Sequence, residues 1–220
     1  MNQYRNGWNI PDWNFMTCCA TTRRAPFCRS LILACAWLAV AGARAQDWTL
    51  SQAELASLDR REVVVPPETD ADRADGSFRA AIEIEAPAER IYHTMTDCAQ
   101  ALHFVPHLTA CKVLETAPDG SWQTIEHEVT YSWFLPHASY VFRAHYEPFE
   151  RISFSNVRGD FRTNEAIWEL SPRRDGAVTL VTYRAQVVPK FYVPRWMVLA
   201  SLKRDLPELM QGLRARCESR

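Results

Sequence analysis

Between residues 78 and 188 this chain alternates apolar and polar side chains again and again, and then it changes period once. In the stretch 78–85, Phe78, Ala80, Ile82 and Ile84 share one face. In 122–135, Ile125, His127, Val129, Tyr131 and Trp133 oppose Glu126, Glu128, Thr130 and Ser132. In 138–146, Tyr140, Phe142, Ala144 and Tyr146 oppose Val141, Arg143 and His145. The stretch 151–157 is short; 162–170 sets Asn164, Ala166, Trp168 and Leu170 on one side, and 177–188 does so with Val181, Tyr183, Ala185 and Val187. Period-two alternation places one apolar and one wet face on each strand, the pattern of an antiparallel sheet covered on one side. The cover follows at once. From Pro194 onward Trp196, Leu199, Leu202, Leu206, Leu209, Met210 and Leu213 recur near the 3.6-residue period of an amphipathic helix, in which Pro207 is expected to produce a kink. The fold class is therefore α+β.

A second feature lies between the first strand and the rest. Ala86-Pro87-Ala88-Glu89-Arg90-Ile91-Tyr92 opens a short helix, since proline suits a first turn where its missing N–H is not needed. Thr96-Asp97 ends that helix, a second short one runs near 98–104, and Phe104-Val105-Pro106 leads back to strand at 111–115. Upstream, Ser51-Gln52-Ala53-Glu54 is a capping box before a short helix, 62–65 reads as a brief strand, and 66–76 is a polar, acidic loop.

The order of these pieces resembles the START-like (SRPBCC) helix-grip domains, namely the polyketide cyclase/dehydrase and coenzyme-Q-binding START proteins. The resemblance spans roughly 78–216. It rests on the Ala-Pro helix opening, Phe104-Val105-Pro106, Gly159-Asp160-Phe161, Trp168-Glu169-Leu170, Thr182-Tyr183 and Leu202-Lys203-Arg204-Asp205-Leu206-Pro207. It implies a curved antiparallel sheet wrapped around a long C-terminal helix, with two short helices after the first main strand and an apolar cavity between sheet and helix. It also implies a hydrophobic ligand such as a lipid, sterol, quinone or polyketide, and only some such proteins are enzymes.

The leader points to export. Arg23, Arg24 and Arg29 precede the apolar run 31–40, and Ala43-Arg44-Ala45 fits a cleavage site before Gln46. Ten apolar residues are too few to span a bilayer, which takes about 20. The expected organisation is a leader with cleavable signal over 1–45, with Met16 as a second candidate start. A short helix, strand and acidic loop follow over 46–77, and then the ligand-binding domain over 78–216. The mature form is expected to be secreted or periplasmic, with no stable membrane span. Beyond residue 45 the chain holds 20 basic and 25 acidic residues, a balance that argues against nucleic acid as a partner.

Export loses four of the seven cysteines with the leader and leaves Cys98, Cys111 and Cys217. In an oxidising space Cys98 and Cys111, flanking one short helical turn, favour a disulfide over two free thiols. A zinc site from Cys98, Cys111, His103 and His107 has irregular spacing. No catalytic motif stands out, and nothing in the sequence asks for a metal or a cofactor. His127 falls on an apolar strand face, where it is either a satisfied core histidine or a polar contact for a ligand. The aromatic side chains of that face are either core filling or a cavity wall.

The expected cavity residues are His127, Tyr131, Tyr140, Phe142, Asn164, Trp168, Tyr183, Trp196, Leu199 and Met210. The reading that follows is an exported, non-catalytic carrier or sensor. A cyclase/aromatase- or hydrolase-type enzyme on a polyketide-like substrate and a protein-interaction module are its alternatives. Ligand identity and oligomeric state stay open.

Overall fold

Local rules account for the helix starts in the computed structural model, which describes residues 48–67, 76–130 and 137–219, all within the unit Trp48–Arg220. Helix α1 (Gln52–Asp59) opens on the capping box: Ser51 Oγ accepts from the Glu54 N–H, and the Glu54 carboxylate accepts from the Ser51 N–H at 2.7 Å. Helix α2 (Ala88–Thr96) begins after Pro87, and α3 (Cys98–Phe104) is capped by Asp97, whose carboxylate accepts from the Ala99 N–H at 2.8 Å. The expected strand at 62–65 is a single bridge, Val64 to Ala81. The leader (1–45) and most of the acidic loop lie outside the described residues.

Seven strands follow the alternation: β1 (Ser77–Ile84), β2 (Leu108–Thr116), β3 (Trp122–Val129), β4 (Ala138–Glu147), β5 (Arg151–Gly159), β6 (Phe161–Arg173) and β7 (Val178–Pro189). They form one antiparallel, curved sheet in the order β1-β7-β6-β5-β4-β3-β2. The register brings the apolar positions into rows: Ala80 lies opposite Tyr183, Tyr183 opposite Trp168, and Trp168 opposite Ile152. The long helix α4 (Arg195–Glu218) continues through Pro207.

The core is packed between the sheet and the C-terminal end of α4. Ile82, Ile84 and Val181 from β1 and β7, Ile91 from α2, and Met210, Leu213 and Cys217 from α4 are all fully buried there. Polar contacts tie α4 down at that end. Arg214 donates to the Glu83 carbonyl at 3.1 Å and the Arg61 carbonyl at 2.9 Å. Near its middle the helix meets the start of β2, where His107 Nε2 lies 3.4 Å from an Asp205 carboxylate oxygen and 3.2 Å from Arg204 Nη2.

Cys98 and Cys111 are joined in a disulfide with their Cα atoms 5.4 Å apart, linking the start of α3 to β2. The zinc alternative loses its two thiolates to this bond, and exposed His103 lies on α3 while His107 clasps α4.

Candidate functional site: the aromatic inner face of the sheet

Several residues of the inner face keep part of their surface accessible. The fully buried residues of α4 lie in its second half, and among its described positions none before Leu206 is buried. The inner face of the sheet carries His127, Tyr140, Phe142, Phe154, Asn156, Asn164, Trp168 and Tyr183. Phe142 and Trp168 are buried, whereas His127, Tyr140, Phe154, Asn156, Asn164 and Tyr183 are half-buried. Aromatic residues on a covered face that keep part of their surface border accessible space rather than a closed core.

The rings are ordered by edge and stacking contacts. Trp168 stacks on Tyr183 with centroids 4.0 Å apart, and Phe78 meets the Tyr183 edge at 5.9 Å. Phe142 packs on Phe154 at 4.8 Å and on the His127 edge at 4.8 Å. Tyr140 closes the row against Phe161 at 5.1 Å. Such pairs are worth about 0.5–1.5 kcal/mol each beyond their buried area, so the face is pre-formed. The disulfide backs it: Cys98 and Cys111 pack with Ile125 and Phe142, and Cys111 lies opposite His127 in the β2–β3 register.

Gly159 lets the strands close over Tyr140. Its φ is +121°, and a Cβ there would sit 2.4 Å from the Ser139 carbonyl oxygen and 2.5 Å from the Tyr140 Cα. Only glycine fits that approach. The next residue, Asp160, holds the corner by accepting from the Ser139 N–H at 2.8 Å.

The polar groups are few. His127 Nδ1 lies 3.2 Å from the Tyr140 hydroxyl, and burial pushes the His127 pKa down to about 4. The imidazole is therefore neutral at pH 7, and this wall carries no charge from it. Asn156 donates from Nδ2 to the Phe161 carbonyl at 3.3 Å, and its Oδ1 is buried without a hydrogen-bond partner among the described residues. Two open clefts lie away from this face, one bordered by Glu147, Glu150, Arg151 and Glu169, the other by Pro87, Arg90, Asp97, Gln100 and Arg216.

The ten expected cavity residues therefore divide. His127, Tyr140, Phe142, Asn164, Trp168 and Tyr183 share the inner face. Met210 faces it from α4 but is fully buried in the packed end. Tyr131 and the side chain of Leu199 lie outside the described residues. Trp196 is a correction: it is 70% exposed, not turned into a covered wall. Helical periodicity put it on the same stripe as Met210, but a stripe is buried only where another element stands opposite, and Trp196 lies nearly three turns before the first buried position, Leu206. Sequence reasoning missed Phe154 and Asn156. Their signal was present in the alternation Ile152, Phe154, Asn156, though the strand looked too short to carry a site.

This architecture, a curved antiparallel sheet against one long helix with two short helices inserted after β1, defines a START-like helix-grip protein. Residues 84–214 match the family described as polyketide cyclase / dehydrase and lipid transport, and the chain belongs to that family. Solved structures agree on the fold. A START superfamily protein from Mycobacterium smegmatis is similar at 22% identity and a TM-score of 0.56, covering 64% of this chain and 97% of that one. A STAR-related lipid transfer protein from Xanthomonas axonopodis is similar at 17% identity and a TM-score of 0.56, covering 71% and 99%. The Zhui aromatase/cyclase from Streptomyces sp. R1128 is similar at 13% identity and a TM-score of 0.55, covering 64% and 93%. No curated protein matches the chain in sequence.

Proposed function

We propose that this protein is exported and carries or senses a hydrophobic small molecule, held against the aromatic inner face of the sheet, without catalysing a reaction on it. The observation that carries the reading is the half-buried row of Tyr140, His127, Phe154, Asn164 and Tyr183 on a face that is otherwise core. An apolar surface with a few polar groups is the usual make-up of a small-molecule site. The family, and the lipid transfer protein among the similar structures, support a lipid-like or quinone-like ligand.

The chemistry of the face supports a binder over an enzyme. A general base works best with a pKa near the operating pH. His127, at about 4, is a weak base at neutral pH, and the ring-nitrogen contact it makes among the described residues is to a phenol rather than a carboxylate. Export is supported by the leader residues Arg23, Arg24 and Arg29, the apolar run 31–40 and Ala43-Arg44-Ala45, and by a disulfide that suits an oxidising space.

Titration with a long-chain fatty alcohol or a short-chain quinol, followed by tryptophan fluorescence, tests the binding. Saturable quenching that is lost in Trp168→Phe agrees with the reading; no saturable change with any apolar ligand contradicts it. N-terminal sequencing of protein recovered outside the cytoplasm should begin at Gln46, and a chain retaining the run 31–40 would rule out cleavage there.

A further inference from the structure

Among the described residues two buried side-chain atoms lack a hydrogen-bond partner, Arg214 Nη2 and Asn156 Oδ1, and of the two only Asn156 belongs to the aromatic inner face. It sits on β5 opposite Phe142, at a point where the ladder slips: Val141 pairs with Arg158 and Phe142 with Asn156, so Val157 is bulged out of the pairing. Bulges commonly re-aim a neighbouring side chain. The ladder between β5 and β6 ends at Phe154 and Ala166, so Asn156 lies where those two strands part. Its amide bridges the gap, with Nδ2 donating to the Phe161 carbonyl at 3.3 Å. That bond fixes the orientation, because exchanging the amide's nitrogen and oxygen would set two acceptors face to face. The carboxamide oxygen is then buried with no hydrogen-bond partner among the described residues. Proteins rarely leave a buried acceptor unpaired, and each exception calls for a cause.

Its surroundings state what would satisfy it. Phe142 lies opposite Asn156, and through it the patch continues to Phe154 and to the His127–Tyr140 pair; Phe161 joins Tyr140. None of these side chains carries a formal charge at neutral pH, and His127 stays neutral there. A charged ligand group would be desolvated here without a countercharge.

Resting on the reading of this face as a ligand site, we propose that Asn156 is its polar anchor, and that the site selects a neutral apolar molecule bearing a hydrogen-bond donor, a hydroxyl or phenol. Hydrocarbons, esters and oxidised quinones offer the Asn156 oxygen no donor and leave it unpaired. A quinol, a sterol-like alcohol or a phenolic polyketide satisfies it. Within the quinone class, the reduced form is the one held.

Two probes of nearly equal size separate the possibilities: 2-naphthol, which has the donor, and 2-methoxynaphthalene, which lacks it. Calorimetric titration of the purified protein should give about tenfold tighter binding of 2-naphthol. In Asn156→Leu that preference should vanish while 2-methoxynaphthalene binds as before or more tightly; thermal unfolding checks that the variant is folded, and Asn156→Val, which likewise has no side-chain acceptor, serves in its place otherwise. Equal affinities for the two probes in the unmodified protein would overturn the anchor and leave the apolar site standing. A preference that survives in the folded Asn156 variants would also overturn it. Failure of both probes to bind would overturn the site itself and the anchor with it.

Discussion

Acidifying the protein should destabilise it through His127, and the size of the effect follows from its burial. His127 titrates near 6.5 when the chain is unfolded and at about 4 when folded, because the buried imidazole resists charging. Between those values the unfolded state holds the extra proton, so unfolding is favoured as pH falls. The contribution is nil above about pH 7, grows as pH drops through 6.5, and is complete near pH 4. A gap of about 2.5 units at 1.36 kcal/mol each amounts to about 3 kcal/mol, a large share of the 5–15 kcal/mol typical of a domain. Urea unfolding at pH 7.0, 6.0, 5.0 and 4.5, followed by far-ultraviolet circular dichroism, measures it. The comparison is with His127→Gln, which keeps a polar group near Tyr140 but cannot titrate. Subtracting the variant's pH dependence removes the carboxylates common to both. The unmodified protein should lose about 2–3 kcal/mol more than the variant on going from pH 7.0 to 4.5. Parallel curves would refute the reasoning, since they would mean that His127 is solvated or that a partner stabilises its charged form.

The remaining predictions concern the frame around the site. Replacing Cys98 and Cys111 together by Ser should cost about 3 kcal/mol of stability through the freed 13-residue separation, read as a shifted urea midpoint; an unchanged midpoint would contradict a bonded pair. Met210→Ala should cost about 2–5 kcal/mol from the packed end, while Trp196→Ala should stay within about 0.5 kcal/mol, and a reversed order would mean that α4 packs differently. Gly159→Ala should destabilise by about 1–3 kcal/mol and weaken ligand retention, because the added Cβ forces β5 off Tyr140; a silent substitution would contradict the close approach.

Much of this architecture was legible in the residues. Alternation is a local consequence of strand geometry, so the inner rows of β1, β4, β6 and β7 could be read position by position: Ile82, Phe142, Trp168 and Val181 are all buried. The capping box at Ser51 and the proline opening of α2 are equally local and stand as read. What escaped the sequence depends on distant partners. Whether Trp196 is covered depends on what faces the first turns of α4, and helical periodicity carries no information about that. The apparent end of β5 at Val157 was a bulge, with pairing resuming at Arg158 and Gly159. A one-residue slip leaves no compositional mark; Asn156 could be read from the alternation, but its bond to the Phe161 carbonyl depends on β5 and β6 parting beside it. His127 could be placed on its face, but its hydrogen bond to Tyr140 required the β3–β4 register.

The central claim is that the inner face holds an apolar molecule, and native mass spectrometry of the gently purified protein tests it most directly. The account predicts a population heavier than the bare chain by the mass of one small molecule, which disappears under denaturing conditions and returns on incubation with a hydroxylated apolar compound. Spectra showing the bare chain alone, before and after incubation with fatty acid, quinol and 2-naphthol, would contradict it.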